Sequence, residues 1–344
     1  MLLLRKRGLK VKMQMRTISR IERLSWLDIL KGIGIIFVVV GHIYSNSTIF
    51  NWLYSFHIPL FFLAAGWVYK EKPIFMDLKR RIQTIVVPYF LFGLLVLVYW
   101  QFIERRFRDS DMSFGNAVLG LLSGQYDYLE FNIHLWFLPC FFVVVVTFNV
   151  LVNIGGKKVA YVVSALMSVI FALASLPGVF WGIDRVFKYI GFYAVGCYLS
   201  DRNLSKYVGE QMKLVQGLVA IGLLIFNFVL AYFSLTIGAM WFVTAVIGVF
   251  GMTMVSMLIN KSRILQYFGR ISLIILCIHG PIYRIVVKLI SVLVHMSTDA
   301  LRNNFVLVIV VVVITMVVCS FAYEVTVRIA PWVIGEKKKI KFIC

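Results

Sequence analysis

The chain has 344 residues, of which 61% are hydrophobic and 15% charged, and its 35 lysines and arginines against 15 acidic residues give a formal net charge of +20. Soluble globular chains are about 45–50% apolar and about 25% charged, so this composition excludes an ordinary soluble protein and a disordered one. It predicts a polytopic membrane protein, whose partner is the lipid bilayer. In that class excess lysine and arginine is typical of cytoplasmic loops and tails, so we expect no nucleic-acid partner.

Ten apolar runs, most of them long enough to cross a bilayer, follow one another along the chain. They lie at about 27–47, 51–69, 84–103, 134–153, 159–176, 185–200, 214–234, 237–259, 271–294 and 304–328. The predicted fold class is therefore an all-α polytopic membrane protein with about ten transmembrane helices. We expect the ten-helix domain to cover residues 24–330, between basic cytoplasmic tails at 1–23 and 331–344.

The distribution of lysine and arginine predicts the orientation of these helices. If the N-terminus is cytoplasmic, 26 lysines and arginines fall in segments on that side and 6 on the other, so both termini are predicted to be cytoplasmic. The longest connection, at about 104–133, then lies outside. Its Tyr126, Asp127, Tyr128 and Glu130 are candidates for binding an acceptor molecule, although a solvated polar loop would have the same composition.

The first apolar run contains three ionisable residues, Asp28, Lys31 and His42. Such residues are costly within a bilayer and are functional candidates by default. The eleven steps from Lys31 to His42 make three helical turns plus about 20°, so both residues share a face about 16 Å apart. Asp28 lies one turn before Lys31 and can pair with it. The pair alone would also suit an interfacial anchor, but that interpretation does not explain the depth of His42. His42, Lys31 and Asp28 are therefore the candidate catalytic residues, with His42 as the reacting group.

Further histidines lie in or beside other apolar runs. His57 lies in the second run at a depth similar to that of His42, His134 and Trp136 open the fourth run, and His279 lies within the ninth. We interpret these four residues as candidate substrate-binding residues, whereas His295 falls in an outer loop. The histidines lie on separate runs without H-E-x-x-H or H-x-x-E-H spacing, and no C-x-x-C pair occurs, so the sequence does not predict a metal site.

Three consecutive basic residues, Lys79, Arg80 and Arg81, precede the third apolar run on the predicted cytoplasmic side. A cluster of this kind is common there for topological reasons alone. Alternatively, the three cations bind the phosphates of an anionic substrate.

Several sequence strings, taken together and in this order, resemble the acyltransferase-3 family of integral membrane acyltransferases. The strings are WLDILKGIGIIFVVVGH at 26–42, SFHIPLFFLAAG at 55–66, KRRIQTIVVPY at 79–89, HLWFLP at 134–139 and GRISLIILCIHGPI at 269–282. The most specific mark is a basic residue followed after ten residues by histidine, which Lys31 and His42 supply. Many members of the family have arginine at the first of these positions.

The resemblance implies a bacterial inner-membrane enzyme that transfers acetyl from acetyl-CoA to a sugar hydroxyl. The acceptor would be a cell-surface polysaccharide (O-antigen, capsule or exopolysaccharide) or its lipid-linked precursor. The phosphates of acetyl-CoA would meet Lys31 and the basic residues at 79–81, and His42 would act as a general base or carry the acyl group. The main alternative is a secondary transporter or flippase that uses intramembrane histidine and lysine, which would favour repeated halves that the sequence lacks.

Overall fold

The computed structural model describes residues 24–108, 110–173, 178–202, 213–236, 238–259 and 261–335. Within these ranges the chain forms helices and their connections, without any strand. The basic tail predicted at 1–23 lies outside the described residues. The tail predicted at 331–344 is described only through residue 335, and its first residues, Pro331–Ile334, form a short 3-10 helix.

Thirteen α-helices follow one another through the described ranges. They are α1 (Ser25–Ile43), α2 (Ser47–Trp67), α3 (Ile74–Arg81), α4 (Val87–Phe102), α5 (Phe114–Ser123), α6 (Phe137–Leu173), α7 (Ile183–Asp201), α8 (Lys213–Tyr232), α9 (Gly238–Ile259), α10 (Arg263–Arg270), α11 (Ser272–Leu293), α12 (Thr298–Asn303) and α13 (Phe305–Ile329). One π-helical turn, Ile82–Val86, joins α3 to α4. A 3-10 helix at Glu130–Trp136 leads into α6.

Eight helical stretches of the described chain are long and apolar enough to cross a membrane. One of these, Glu130–Ile170, contains the fourth and most of the fifth predicted runs because α6 is broken at Gly156. The sixth predicted run forms α7, whose first turns carry three charged residues and which is not among the eight. The all-α polytopic membrane fold is thus confirmed, and the predicted count of about ten includes α7 and both halves of α6.

The break in α6 depends on a glycine. Gly156 has φ 74° and ψ 170°, a backbone conformation that residues with a Cβ rarely adopt. Lys157 and Lys158 follow immediately, so the chain reverses at a polar surface between two apolar segments. Helix α6 is therefore continuous in its hydrogen-bonding pattern but consists of two consecutive membrane-spanning segments.

Helix α1 lies at the centre of the molecule. In the most apolar 18-residue stretch of α1, 67% of the residues are buried within the protein. The corresponding stretch of α13 is only 33% buried, so most of its residues are at least partly exposed at the protein surface. Exposed apolar side chains on α13 and α8 suit a hydrocarbon environment rather than water. The helix that carries Lys31 and His42 is thus enclosed by other helices, so these side chains are held against protein groups.

Short helix α10 crosses α1 at a pair of glycines. A Cβ at Gly32 would collide with the backbone carbonyl of Leu265, and a Cβ at Gly269 would collide with the carbonyl of Asp28. The absence of side chains lets the two backbones touch, as at small-residue interfaces in membrane proteins. This contact, made one residue after Lys31, prevents α1 from moving along its own axis.

Candidate active site

A cavity of about 1200 Å³ runs alongside α1. One end, here named the basic end, is lined by Lys70, Lys72, Arg80 and Arg81. The other, here named the histidine end, is lined by His42, Tyr54, His57 and His134. Lys31 and Asp28, in the first two turns of α1, line the same cavity. The cavity therefore connects a cationic opening to buried imidazoles, along the helix face predicted from the spacing of Lys31 and His42.

At the histidine end, a tyrosine hydroxyl contacts the His42 imidazole. The Tyr54 hydroxyl lies 2.9 Å from Nδ1 and 3.1 Å from Nε2 of His42. The tyrosine ring also packs edge-on against His57, with ring centroids 4.6 Å apart. His57 donates from Nδ1 to the carbonyl of Leu53, at 2.6 Å, so its Nε2 carries the lone pair in the neutral ring. Tyr54 thus links two histidines from neighbouring helices.

Two more histidines lie beside His42. The ring centroid of His134 is 3.9 Å from that of His42 and 4.1 Å from that of His279. The three residues come from α11, α1 and the 3-10 helix before α6, and His134 and His279 are buried. The structure therefore brings together three of the predicted site histidines, although His279 lies behind His134 rather than on the cavity wall.

At the basic end, three of the four cations form no ion pair with any residue that the structure describes. Lys31 pairs with Asp28 through Nζ and Oδ1 at 2.9 Å, and Arg81 pairs with the buried Asp77 at 3.2 Å. Partial desolvation, together with the positive charge of Arg80, lowers the pKa of Lys72. Cations brought this close repel one another, and an anion bound among them would relieve that repulsion.

Beyond the histidines, aromatic rings line the cavity. Tyr126 and Trp136 both face the Arg185 guanidinium, whose carbon lies 4.9 Å and 4.5 Å from the two ring centroids. Amphipathic rings of this kind offer flat apolar surfaces with polar atoms at the edge. Desolvation raises the pKa of Tyr126, so its hydroxyl stays neutral and can donate a hydrogen bond.

The predicted site residues divide into two groups. Those on the cavity wall are Asp28, Lys31, His42, His57, Arg80, Arg81, Tyr126, His134 and Trp136. Those that do not line it are Lys79, Asp127, Tyr128, Glu130 and His279. Lys79, Asp127 and Tyr128 are exposed, and Glu130 forms an ion pair with Arg108 at 3.4 Å. The roles predicted for this second group stay predictions, with less geometric support than those of the first.

Two features of the site were not predicted from the sequence. Tyr54 lies one helical turn before His57, and that spacing could have indicated a shared face. Buried Glu104 forms an ion pair with Arg284 of α11 at 2.7 Å, and Arg284 also donates to the carbonyl of Phe131 at 2.8 Å. The hydrogen bond to Phe131 connects α11 to the 3-10 helix of His134, and the ion pair with Glu104 holds the guanidinium in place for it.

These features define a polytopic membrane protein with an internal cavity between a cationic opening and a buried histidine cluster. A family model described as an acyltransferase domain matches residues 24–325, nearly the whole chain. The chain therefore belongs to the acyltransferase-3 family, and it is a membrane acyltransferase. No curated protein and no solved structure shows a significant match to it.

Proposed function

We propose that this acyltransferase moves an acetyl group from acetyl-CoA to a sugar hydroxyl, in a bacterial inner membrane with the basic end of its cavity facing the cytoplasm. The acceptor is a cell-surface polysaccharide (O-antigen, capsule or exopolysaccharide) or its lipid-linked precursor. The observation that carries the proposal is the continuous cavity between the cations of the basic end and His42.

Acetyl-CoA matches this cavity in charge and shape. Its phosphates suit the guanidinium of Arg80 and the ammonium groups of Lys70 and Lys72, which face the basic end. Its pantetheine arm is long and thin, and the cavity follows α1 for the roughly 16 Å that separate Lys31 from His42 along the helix axis. The thioester would then lie next to the His42 ring. Lys31 lines the cavity three helical turns before His42, so its ammonium can contact the arm or a phosphate.

His42 serves best as the general base. Its imidazole accepts the proton of the sugar hydroxyl while the hydroxyl oxygen forms a bond to the acetyl carbonyl carbon. The carbon–sulfur bond then breaks, the sulfur leaves as the thiolate of CoA, and the protonated His42 returns the proton to it. The products are the acetyl ester and free CoA. Tyr54 orients the imidazole throughout, since its hydroxyl remains within hydrogen-bond distance of the ring.

A variant of this mechanism uses His42 as a nucleophile. The imidazole nitrogen attacks the thioester carbon, CoA leaves, and the acyl group is passed from the ring to the acceptor in a second step. His134 is then the nearest imidazole on the cavity wall to take the acceptor proton, because its ring centroid lies 3.9 Å from that of His42. Pre-incubation with labelled acetyl-CoA in the absence of acceptor distinguishes the two mechanisms. Label accumulates on the protein only if His42 acts as a nucleophile, and not if it acts as a general base.

The far side of the histidine end suits a carbohydrate. Tyr126 and Trp136 present aromatic surfaces to the cavity, and Arg185 supplies hydrogen-bond donors between them. Sugar rings combine apolar faces with hydroxyl edges, so this combination of groups is complementary to them. Trp136 lies two residues after His134, which puts the aromatic surface next to the histidine cluster.

The test combines a cellular and a purified measurement. Glycan mass spectrometry of producing and deletion strains should show a difference of one acetyl group per modified sugar, which also identifies the polymer. Purified protein with labelled acetyl-CoA should acetylate that glycan and release CoA. Vesicle uptake of acceptor without any CoA release would contradict the proposal and support the transporter alternative.

A further inference from the structure

Four buried polar atoms near His42 have no hydrogen-bond partner among the residues that the structure describes. They are Oδ1 of Asn132, both ring nitrogens of His134 and Nε2 of His279. Their residues are 0%, 3% and 0% exposed, respectively. Buried polar atoms in native proteins are nearly always paired with protein, water or an ion. Four such atoms in one place therefore indicate that something polar or charged belongs between them.

The hydrogen bonds of the cluster show which nitrogens offer a lone pair. His279 Nδ1 lies 2.7 Å from the carbonyl of Ile275, which can only accept, so the ring proton is on Nδ1 and Nε2 is a bare lone pair. A histidine anchored through one nitrogen to a carbonyl, with the other nitrogen free, is the usual arrangement of a metal ligand. His134 contributes another lone pair, and the Tyr54 hydroxyl, which lies near both nitrogens of His42, can bond to one of them while the other binds an ion.

The positions of the three rings suit a single ion. One nitrogen from each of His42, His134 and His279 lies within 4.8 Å of the other two. A tetrahedral zinc ion with bonds of about 2.0–2.1 Å holds its nitrogens about 3.4 Å apart, so modest ring rotations close the site. A methyl group at Gly280 would lie 2.9 Å from Asn132 Oδ1 and 3.0 Å from His134 Nε2, so these two atoms border the same small space.

We propose that His42, His134 and His279 bind one divalent transition-metal ion of the zinc class. Neutral imidazoles favour such ions, whereas magnesium and calcium require oxygen ligands. Arg284 is the nearest opposing cation on α11, and its ion pair with Glu104 offsets its charge. The site binds the ion through side chains from three separate elements, which explains why no motif in the sequence predicts it.

Binding of the ion has a consequence that rests on the proposed function. A metal ion uses the lone pair with which His42 would accept the acceptor proton. A protein molecule with the ion bound therefore has no free His42 lone pair and cannot catalyse the transfer. The ion is an inhibitor that competes with the acceptor proton for His42. A chelator should restore the rate, and raising the acetyl-CoA concentration alone should not displace the ion because its ligands are protein nitrogens.

The binding test uses the full chain in detergent, purified through a tag that contains no histidine. After chelator treatment, the protein is mixed with Zn²⁺, desalted and analysed for metal by mass spectrometry. We expect about one zinc per chain in the wild type and in His295→Asn, which removes an exposed loop histidine. His134→Ala and His279→Ala should each retain less than about a tenth of that amount.

Two further measurements on the wild-type protein do not depend on whether the variants fold. Co²⁺ added to the wild-type protein should give the intense visible absorption of a tetrahedral nitrogen site, and added Zn²⁺ should abolish it. Absence of this absorption, or equal zinc retention by the wild type and His134→Ala, would overturn the metal site. Acetyl transfer is assayed separately. Zinc that binds in this stoichiometry without slowing transfer would overturn the inhibitory role. Acetyl transfer by wild-type protein that retains no zinc would overturn the metal site and leave the proposed function standing alone.

Discussion

The Tyr54 hydroxyl lies 2.9 Å from Nδ1 of His42, so the imidazole in the last turn of α1 is held by a side chain from α2. A methyl group at Gly41 would come within 3.0 Å of the same tyrosine ring. The two helices therefore fit closely around the candidate base, and changes at either residue should act on the orientation of one ring.

Replacement of His42 by alanine should abolish detectable acetyl transfer. Loss of a general base typically costs about 10²–10⁴ in rate. The imidazole makes a part-buried contact with Tyr54, so the fold should tolerate its removal. Transfer by purified protein is measured alongside the melting temperature, with His295→Asn as the matched histidine control. Near-normal turnover by folded His42→Ala protein would remove the proposed mechanism.

Replacement of Tyr54 by phenylalanine keeps the ring and removes only the hydroxyl. A single hydrogen bond contributes about 0.5–1.5 kcal/mol, so kcat should fall about two- to tenfold. The KM for acetyl-CoA should stay unchanged, because Tyr54 lines the histidine end and not the basic end. A loss confined to KM would show that Tyr54 contacts the donor rather than the base.

Loss of charge at the basic end should weaken donor binding. The double change Lys72→Ala, Arg80→Ala removes two cations from the cavity wall and should raise the KM for acetyl-CoA about 3- to 30-fold with little effect on kcat. Lys158→Ala is the matched control, since Lys158 is exposed and does not line the cavity. Equal effects of the double and control variants would show that the basic residues affect membrane topology and not donor binding.

The ion pair between Glu104 and Arg284 should matter for both stability and rate. Glu104→Gln leaves a mostly buried guanidinium without a full counter-charge, which should lower the free energy of unfolding by about 1–3 kcal/mol. The rate should also fall, because Arg284 holds the carbonyl of Phe131 next to the His134 segment. Glu71→Gln, at an exposed position, is the control. An unchanged melting temperature and rate would assign the pair no positioning role.

The predicted orientation can be checked by cysteine labelling. In a Cys344→Ser background, Asp299→Cys should react with a membrane-impermeant reagent added from outside, and Lys337→Cys should react only after permeabilisation. The physical basis is the excess of lysine and arginine in segments on the predicted inner side. The reverse pattern would put the basic end of the cavity on the wrong side for cytoplasmic acetyl-CoA.

The parts of this molecule that follow helical periodicity could be predicted from the sequence. The apolar runs predict the helices, and the spacing of Lys31 and His42 predicts that they share the cavity face of α1. Contacts across long separations could not be predicted in this way. Glu104 and Arg284 are 180 positions apart, so nothing in either local pattern indicates the partner.

The histidine cluster depended on tertiary structure in the same way. Each histidine looked separate along the chain, and only the packing of α1, α11 and the segment before α6 brings three rings together. The break in α6 was predictable as a boundary between two runs, but the left-handed backbone of Gly156 was not.

The glycine contact between α1 and α10 sets the depth of the chemistry. Because the backbone at Gly32 touches the carbonyl of Leu265, and Gly269 touches that of Asp28, α1 cannot slide along its axis without losing both contacts. His42 lies about 15 Å farther along α1 than Gly32. The distance between the membrane surface and the reacting atoms therefore depends on Gly32 and Gly269, because only residues without a side chain allow these backbone contacts. In a saturation-mutagenesis screen these glycines should therefore be as intolerant of substitution as the base itself, although neither touches a substrate.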